Sequence, residues 1–236
     1  MALPFFYIES IEDASSFITL NEETSKHVVQ VLRMQAGESI NLTDGKGNRV
    51  TAVITDAHKK HCVVQVKSVV QEAAAEQKII IAISLVKNAS RFEWFLEKAT
   101  EMGVSAIVPL LCDRTERQHF RYDRMKGITV SAMLQSQQCW LPELREPVSF
   151  DEYLQKVPAD AVKLIAHCEE TQKRSLSTVE PGSAGEVVLF IGPEGDFSPQ
   201  EIAQALQYKF MPVTLGETRL RTETAGVAAA ALLRIR

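Results

Sequence analysis

Cysteine is scarce and scattered in this chain: four in 236 residues, at Cys62, Cys112, Cys139 and Cys168, with no CxxC pair. That spacing excludes a zinc ribbon and a disulfide framework, and all four are expected to be reduced, buried, small apolar residues. His58 and His61 stand beside Cys62 without a third well-spaced ligand, so they read as hairpin residues and no metal is expected. No stretch approaches the roughly 20 apolar residues that a membrane span needs. Met1 to Tyr7 lacks the basic flank and long apolar run of a signal peptide, so a cytoplasmic location away from membranes is expected. A surplus of positive charge is also missing, since 26 Lys and Arg against 30 Asp and Glu leave a net charge of −4 and a pI near 5.8. Any contact with nucleic acid must therefore be local. No GxGxxG follows the first strand of the C-terminal part, which argues against a nicotinamide-binding Rossmann enzyme.

The apolar fraction of 45% is that of an ordinary globular protein, and the length suits one large domain or two. Residues 1 to 70 carry short alternating or β-branched runs, Ser39 to Thr43, Val50 to Thr55 and Cys62 to Val70, as in a small β-barrel. Asp44-Gly45-Lys46-Gly47-Asn48 supplies a hairpin turn. One helix, about Glu22 to Met34, places Val28, Val31 and Leu32 on an apolar face. The polar, alanine-rich stretch Gln71 to Gln77 separates two rhythms, so domains are expected at residues 1–72 and 77–236.

From Lys78 the pattern alternates strand and helix, the signature of an α/β domain with a mostly parallel sheet. Lys78 to Leu85 is an apolar strand; Ser90 to Glu93 forms a capping box before a helix bearing Phe92, Phe95, Leu96, Ala99 and Met102, stopped by Gly103. Further strands are expected at Val104 to Leu111, Val162 to His167, Val187 to Ile191 and Met211 to Leu215. Helices fall at Tyr122 to Gln138 and after the capping box Ser149 to Glu152, with a loop at Thr171 to Gly185. Between Asp113 and Lys126, Arg114, Arg117, Arg121, Arg124 and Lys126 outnumber three acidic residues, which fits either a nucleic-acid contact or a solvated helix face.

Ligands of open α/β sheets bind beyond the carboxyl ends of strands, and three such ends stand out. At Gly192-Pro193-Glu194-Gly195-Asp196 the glycines permit close backbone approach, and Ser198, Pro199 and Glu201 stand as N-cap, N1 and N3 of the next helix. The loop lacks the lysine of a phosphate cradle, and Glu194 would repel phosphate. Leu215 to Ala225 is polar and holds Arg219 and Arg221, ahead of an apolar helix, Gly226 to Ile235, that must be buried. Thr222 reads as that helix's N-cap, and Glu223 suits its positive end. The third end is Ala166-His167-Cys168, where a lone histidine by itself says little.

Gly192-Pro193-Glu194-Gly195, paired with Leu215-Gly216 and Leu220-Arg221-Thr222-Glu223-Thr224-Ala225, resembles the ribosomal RNA small subunit methyltransferase E family of the SPOUT superfamily. The likeness runs along nearly the whole chain, through His27 to Arg33, Lys87, Lys98 to Val104, Gln135-Ser136 and Leu141-Pro142. Asp196 departs from the family, which usually has a second glycine there, and Gln138-Cys139-Trp140 lacks an arginine that many members carry.

The resemblance implies a PUA-like β-barrel ahead of a SPOUT α/β domain with a C-terminal trefoil knot, a homodimer through the last helix, and S-adenosylmethionine as methyl donor. It implies methylation of N3 of a uridine in small-subunit (16S) ribosomal RNA. His167, Ile191, Gly192, Pro193, Glu194, Gly195, Leu215, Gly216, Leu220, Thr222, Thr224 and Ala225 would surround the donor. Arg221 would stabilise charge on the uracil carbonyls, with Glu223 or Glu194 assisting the proton or orienting Arg221. Arg33, Arg49, Lys87, Arg91, Arg114, Arg117 and Arg121 would place the RNA. Two readings remain beside this one: a related methyltransferase of transfer RNA or the large subunit, and a non-catalytic RNA-binding assembly factor.

Overall fold

In the computed structural model, residues 3–11, 17–116, 119–170, 172–180, 182 and 185–234 are described. The chain forms two compact units, Met1–Ala74 with Met133–Leu141, and Ala75–Ala132 with Pro142–Arg236.

The first unit holds β1 (Phe5–Tyr7), β2 (Phe17–Thr19), β3 (Ser39–Thr43), β4 (Asn48–Asp56) and β5 (Val63–Gln71) in the order β1-β3-β4-β5-β2. Only β1 and β3 pair in parallel. Alternate residues point inward, so Ile40, Leu42, Val50, Ala52, Ile54, Val64 and Val66 share one core with Val28. A register shift at Thr51/Ala52 lets the long β4–β5 ribbon curl.

The helix of this unit differs from expectation. Asn21 caps a short α1 (Glu22–Lys26), which runs on as a π-helical turn, His27–Val31. The wider turn, with Leu32 N–H donating to the His27 carbonyl at 2.9 Å, shifts the later positions around the axis. Val28 stays buried while Val31 and Leu32, expected on the apolar face, are 67% and 42% exposed; Met34 turns inward instead.

Residues 133–141, expected in the second domain, belong to the first unit. The reason is backbone pairing with the β3–β4 turn: Gly47 N–H donates to the Cys139 carbonyl at 2.8 Å and Leu141 N–H to the Gly45 carbonyl at 2.9 Å. Gly47 has φ +91°, and a Cβ there would lie 2.4 Å from the Trp140 ring. The departure at Gln138-Cys139-Trp140 thus lies on this turn.

The second unit is a parallel sheet covered on both faces. Its strands β6 (Lys78–Ser84), β7 (Ala106–Leu111), β8 (Glu143–Leu144), β9 (Val148–Ser149), β10 (Val162–Ala166), β11 (Arg174–Ser175), β12 (Glu186–Ile191) and β13 (Met211–Thr214) follow the order β11-β13-β10-β12-β6-β7-β8, with β9 also on β7. In β6, Ile79, Ile81 and Ile83 join one core, and Ile80 and Ala82 the other. Helices α2 (Ala89–Glu101) and α6 (Thr222–Arg234) cover the first face; α4 (Phe150–Lys156) and α5 (Pro199–Gln207) cover the second. The expected alternation of strands and helices and the parallel sheet are present.

Details differ locally. Asn88, not Ser90, caps α2, its side chain accepting from Ser90 N–H at 2.9 Å. Helix α3 (Tyr122–Gln135) ends three residues early, where Gln137 takes φ +56°. The stretch read as loop after His167 contains β11 and a 3-10 turn, Leu176–Thr178. Ser198 and Glu201 form the expected capping box on α5. Cys62, Cys112 and Cys139 are buried as expected, but Cys168 is exposed. Among the described residues no helix is long and apolar enough to cross a membrane, and no three His, Cys, Asp or Glu side chains are grouped to hold a metal.

Candidate functional site

Strands β13, β10 and β12 are neighbours and all parallel, so the loops leaving their carboxyl ends lie side by side. Together they wall a cavity of about 750 Å3, lined by residues 166–168, 191–194, 196 and 213–222, with Arg91, Lys173 and Ala225. That size falls in the range of small-molecule sites.

Polar contacts hold the loops to one another. Thr222 was expected to cap α6, yet it lies inside the helix, whose first turn closes from Ala225 N–H to the Arg221 carbonyl at 2.7 Å. The Thr222 hydroxyl instead donates to the Gly192 carbonyl at 2.9 Å, joining the loop after β12 to the start of α6. Asp196 adopts φ +66°, a conformation that glycine takes readily and that Asp tolerates. Its Oδ2 accepts from Cys168 N–H at 2.8 Å, which ties in the loop after β10. Arg114 Nη1 donates to the Gly195 carbonyl at 2.6 Å. Buried Glu201 accepts from Ser198 N–H at 2.7 Å and Asp113 N–H at 3.0 Å, while the Ser198 hydroxyl donates to Asp113 at 2.6 Å. The site is thus built on a braced frame.

Among the described residues, two buried side chains carry polar atoms without a hydrogen-bond partner. Both ring nitrogens of His167, a residue 7% exposed, make no hydrogen bond, although the ring lines the cavity. Burial, helped by the Lys173 cation, lowers the pKa of this imidazole, against the pull of Asp196 and Glu169. The second is Oε2 of Glu223. Unpartnered buried polar atoms are rare, and those of His167, whose ring lines the cavity, leave donor and acceptor capacity for a bound molecule.

Of the residues expected around a donor, His167, Ile191, Gly192, Pro193, Glu194, Leu215, Gly216, Leu220, Thr222 and Ala225 line the cavity; Gly195 and Thr224 do not. Arg221, exposed, and Glu194 line it as well, whereas Glu223 is buried and does not. The ion pairs of Glu194 and Glu223 are with Arg91 rather than Arg221. The other expected RNA contacts divide between the two units. Arg33, with φ +58°, and Arg121 are exposed. Arg49 pairs with Glu72 at 2.6 Å and lies 4.9 Å over the Phe5 ring, Lys87 pairs with Glu116 at 2.8 Å, and Arg117 lies outside the described residues. Sequence reasoning missed Asp196 and Arg114 as loop braces; the tolerance of Asp for left-handed backbone was the available signal for the first.

Residues 73–234 match the family described as RNA methyltransferase domain, and residues 20–67 match RNA methyltransferase PUA domain. Ribosomal RNA small subunit methyltransferase E of Synechocystis sp. is 30% identical over 219 residues, or 91% of this chain and 71% of that protein. A probable rRNA-methyltransferase from Porphyromonas gingivalis has a crystal structure that matches with a TM-score of 0.92 and 38% identity, over 99% of this chain and 98% of that one. The small subunit methyltransferase E of Neisseria gonorrhoeae, solved bound to S-adenosyl methionine, matches with a TM-score of 0.89 and 31% identity over the same shares. With a PUA-type unit, an RNA methyltransferase domain spanning residues 73–234 and relatives of the same name aligned along most of its length, this chain belongs to the ribosomal RNA small subunit methyltransferase E family.

Proposed function

We propose that this protein uses S-adenosylmethionine to methylate N3 of one uridine in small-subunit (16S) ribosomal RNA, acting in the cytoplasm. The observation that carries the reading is the three-loop cavity with the unpartnered, neutral-leaning His167 in its wall. The donor fits such a place: a nucleoside joined to an amino acid needs one roomy cleft with a few convergent polar groups. His167 and the loops at Gly192 to Glu194 and Leu215 to Gly216 would hold it. When bound, it supplies an activated methyl group on a sulfonium sulfur.

The chain's own task is to present the uracil edge and manage its proton, because N3 carries hydrogen at neutral pH. Arg221, exposed at the cavity, opposes negative charge on the carbonyl oxygens that flank N3. Glu194 lines the cavity and Glu223 does not, so Glu194 is our candidate to accept the proton. Exposed cations such as Arg33 and Arg121 place the RNA through its phosphates. We further propose the knotted path of the C-terminal chain and a homodimer through α6, whose Val227 and Leu232 remain only partly buried within the unit.

Purified protein incubated with donor and small ribosomal subunits should place one methyl on a small-subunit uridine. Arg221→Ala should lower kcat by about 100-fold or more, as loss of one charge-stabilising donor does. Full turnover by Arg221→Ala would remove the role assigned to that residue. Methyl groups found only in transfer RNA or the large subunit would change the substrate.

A further inference from the structure

Arg91 was expected among the RNA-contacting cations, yet its guanidinium faces two carboxylates from separate segments, one lining the cavity and one buried beside it. Its Nη1 lies 3.3 Å from Oε1 of Glu194, on the loop after β12, and its Nε lies 3.7 Å from Oε1 of Glu223, in the first turn of α6. The Glu223 side chain is only 7% exposed, and its second oxygen is buried without a partner. A buried carboxylate needs a counter-charge nearby, and the ion pair at Glu223 places Arg91 there. Two anions around one cation leave this cluster negative, so it repels a phosphate rather than attracting one. The planar guanidinium can present separate N–H groups to two acceptors, which a lysine does less well.

We propose that Arg91 is a positioning residue for the methyl donor. By holding Glu194 and Glu223 on one guanidinium it locks the loop after β12 against the start of α6, so the cavity wall is formed before the donor arrives. It makes no phosphate contact. The Thr222 to Gly192 hydrogen bond spans the same seam, so the seam has two ties.

The inference rests on the cavity being the S-adenosylmethionine site, and the test separates the two. Donor affinity is measured by calorimetry, and the salt dependence of binding to small-subunit ribosomal RNA is measured in parallel, for Arg91→Met, Arg91→Lys and the double variant Arg91→Met with Glu223→Gln. Arg91→Met should bind donor about tenfold more weakly or worse, since it leaves a buried charge unpaired. Arg91→Lys should recover part of the loss. The double variant should bind donor better than Arg91→Met alone, because the neutral amide no longer needs a cation; simple damage to packing would give no such rescue. The RNA salt slope should not move. A slope reduced by about 0.7 to 0.9, the share of one phosphate contact, or donor affinity unchanged in Arg91→Met, overturns the proposal. Should Arg91→Met fail to fold, Arg91→Lys carries the same comparison. Failure of the parent protein to bind donor would instead refute the reading of the cavity.

Discussion

His167 carries a buried imidazole whose pKa is lowered, chiefly by desolvation and then by Lys173. The folded state therefore resists taking up a proton that the unfolded chain accepts near pH 6.5. Above that value the two states bind equally; as pH falls below it the unfolded chain protonates first, and stability drops until the folded imidazole titrates too. His167→Gln should lose this component, so between about pH 7.5 and about pH 5.5 its thermal midpoint should fall less than that of the parent protein. Equal falls would show that His167 is not protected from protonation. Next to it, Cys168 is the one exposed thiol. Burial raises the pKa of Cys112 strongly, and that of Cys139 to about 11, with a hydrogen bond to Glu72 adding to the second. Reagents attack the thiolate, so a native sample treated with an alkylating agent should gain one label by mass spectrometry, at Cys168, and the donor should slow it. Rapid labelling of Cys62, Cys112 or Cys139 in the native protein would contradict this burial.

At the scale of elements, the seam between α2 and α6 decides how closely the last helix reaches the sheet. Gly226 makes that approach possible: a Cβ there would stand 2.5 Å from Phe95 Cε2 and 2.9 Å from Ile83 Cδ1. Phe95 and Ile83 are fully buried and have nowhere to retreat. Gly226→Ala gains about 1 kcal/mol of helix propensity, but overpacking a tight core loses about 1 to 3 kcal/mol. Contacts under 3.0 Å put this site toward the upper end, so we expect a net loss of about 1 to 2 kcal/mol in urea unfolding. A variant as stable as its parent would mean that α6 can shift outward.

For the whole molecule, the net charge of −4 means that RNA would have to be held by a few placed cations against an unfavourable background. Lys87, Arg49 and Arg114 already serve protein acceptors, so the exposed Arg33 and Arg121 are the proposed phosphate contacts. RNA affinity should thus fall with salt, and Arg33→Ala or Arg121→Ala should each reduce the slope by about 0.7 to 0.9. Binding that ignores salt would dismiss the phosphate-contact view.

Local rules, read along the chain, determined much of this protein. The apolar run Ile79 to Ile83 reads as a strand buried on both faces, as it is, and the Ser198-Pro199-Glu201 pattern set the start of α5. Gly192 after β12, and Gly216, Arg219 and Arg221 after β13, line the cavity and stand out in the sequence itself. Tertiary structure alone decided what is paired across sequence distance. Residues 139–141 joined the first unit because the β3–β4 turn offered free backbone groups. A π-helical turn exposed Val31 and Leu32, because one extra residue per turn rotates everything that follows. Thr222 proved to be a brace and not a cap, and Arg91 a bridge between carboxylates, since an ion pair or hydrogen bond between residues 30 or more positions apart leaves no periodic trace in the chain that makes it.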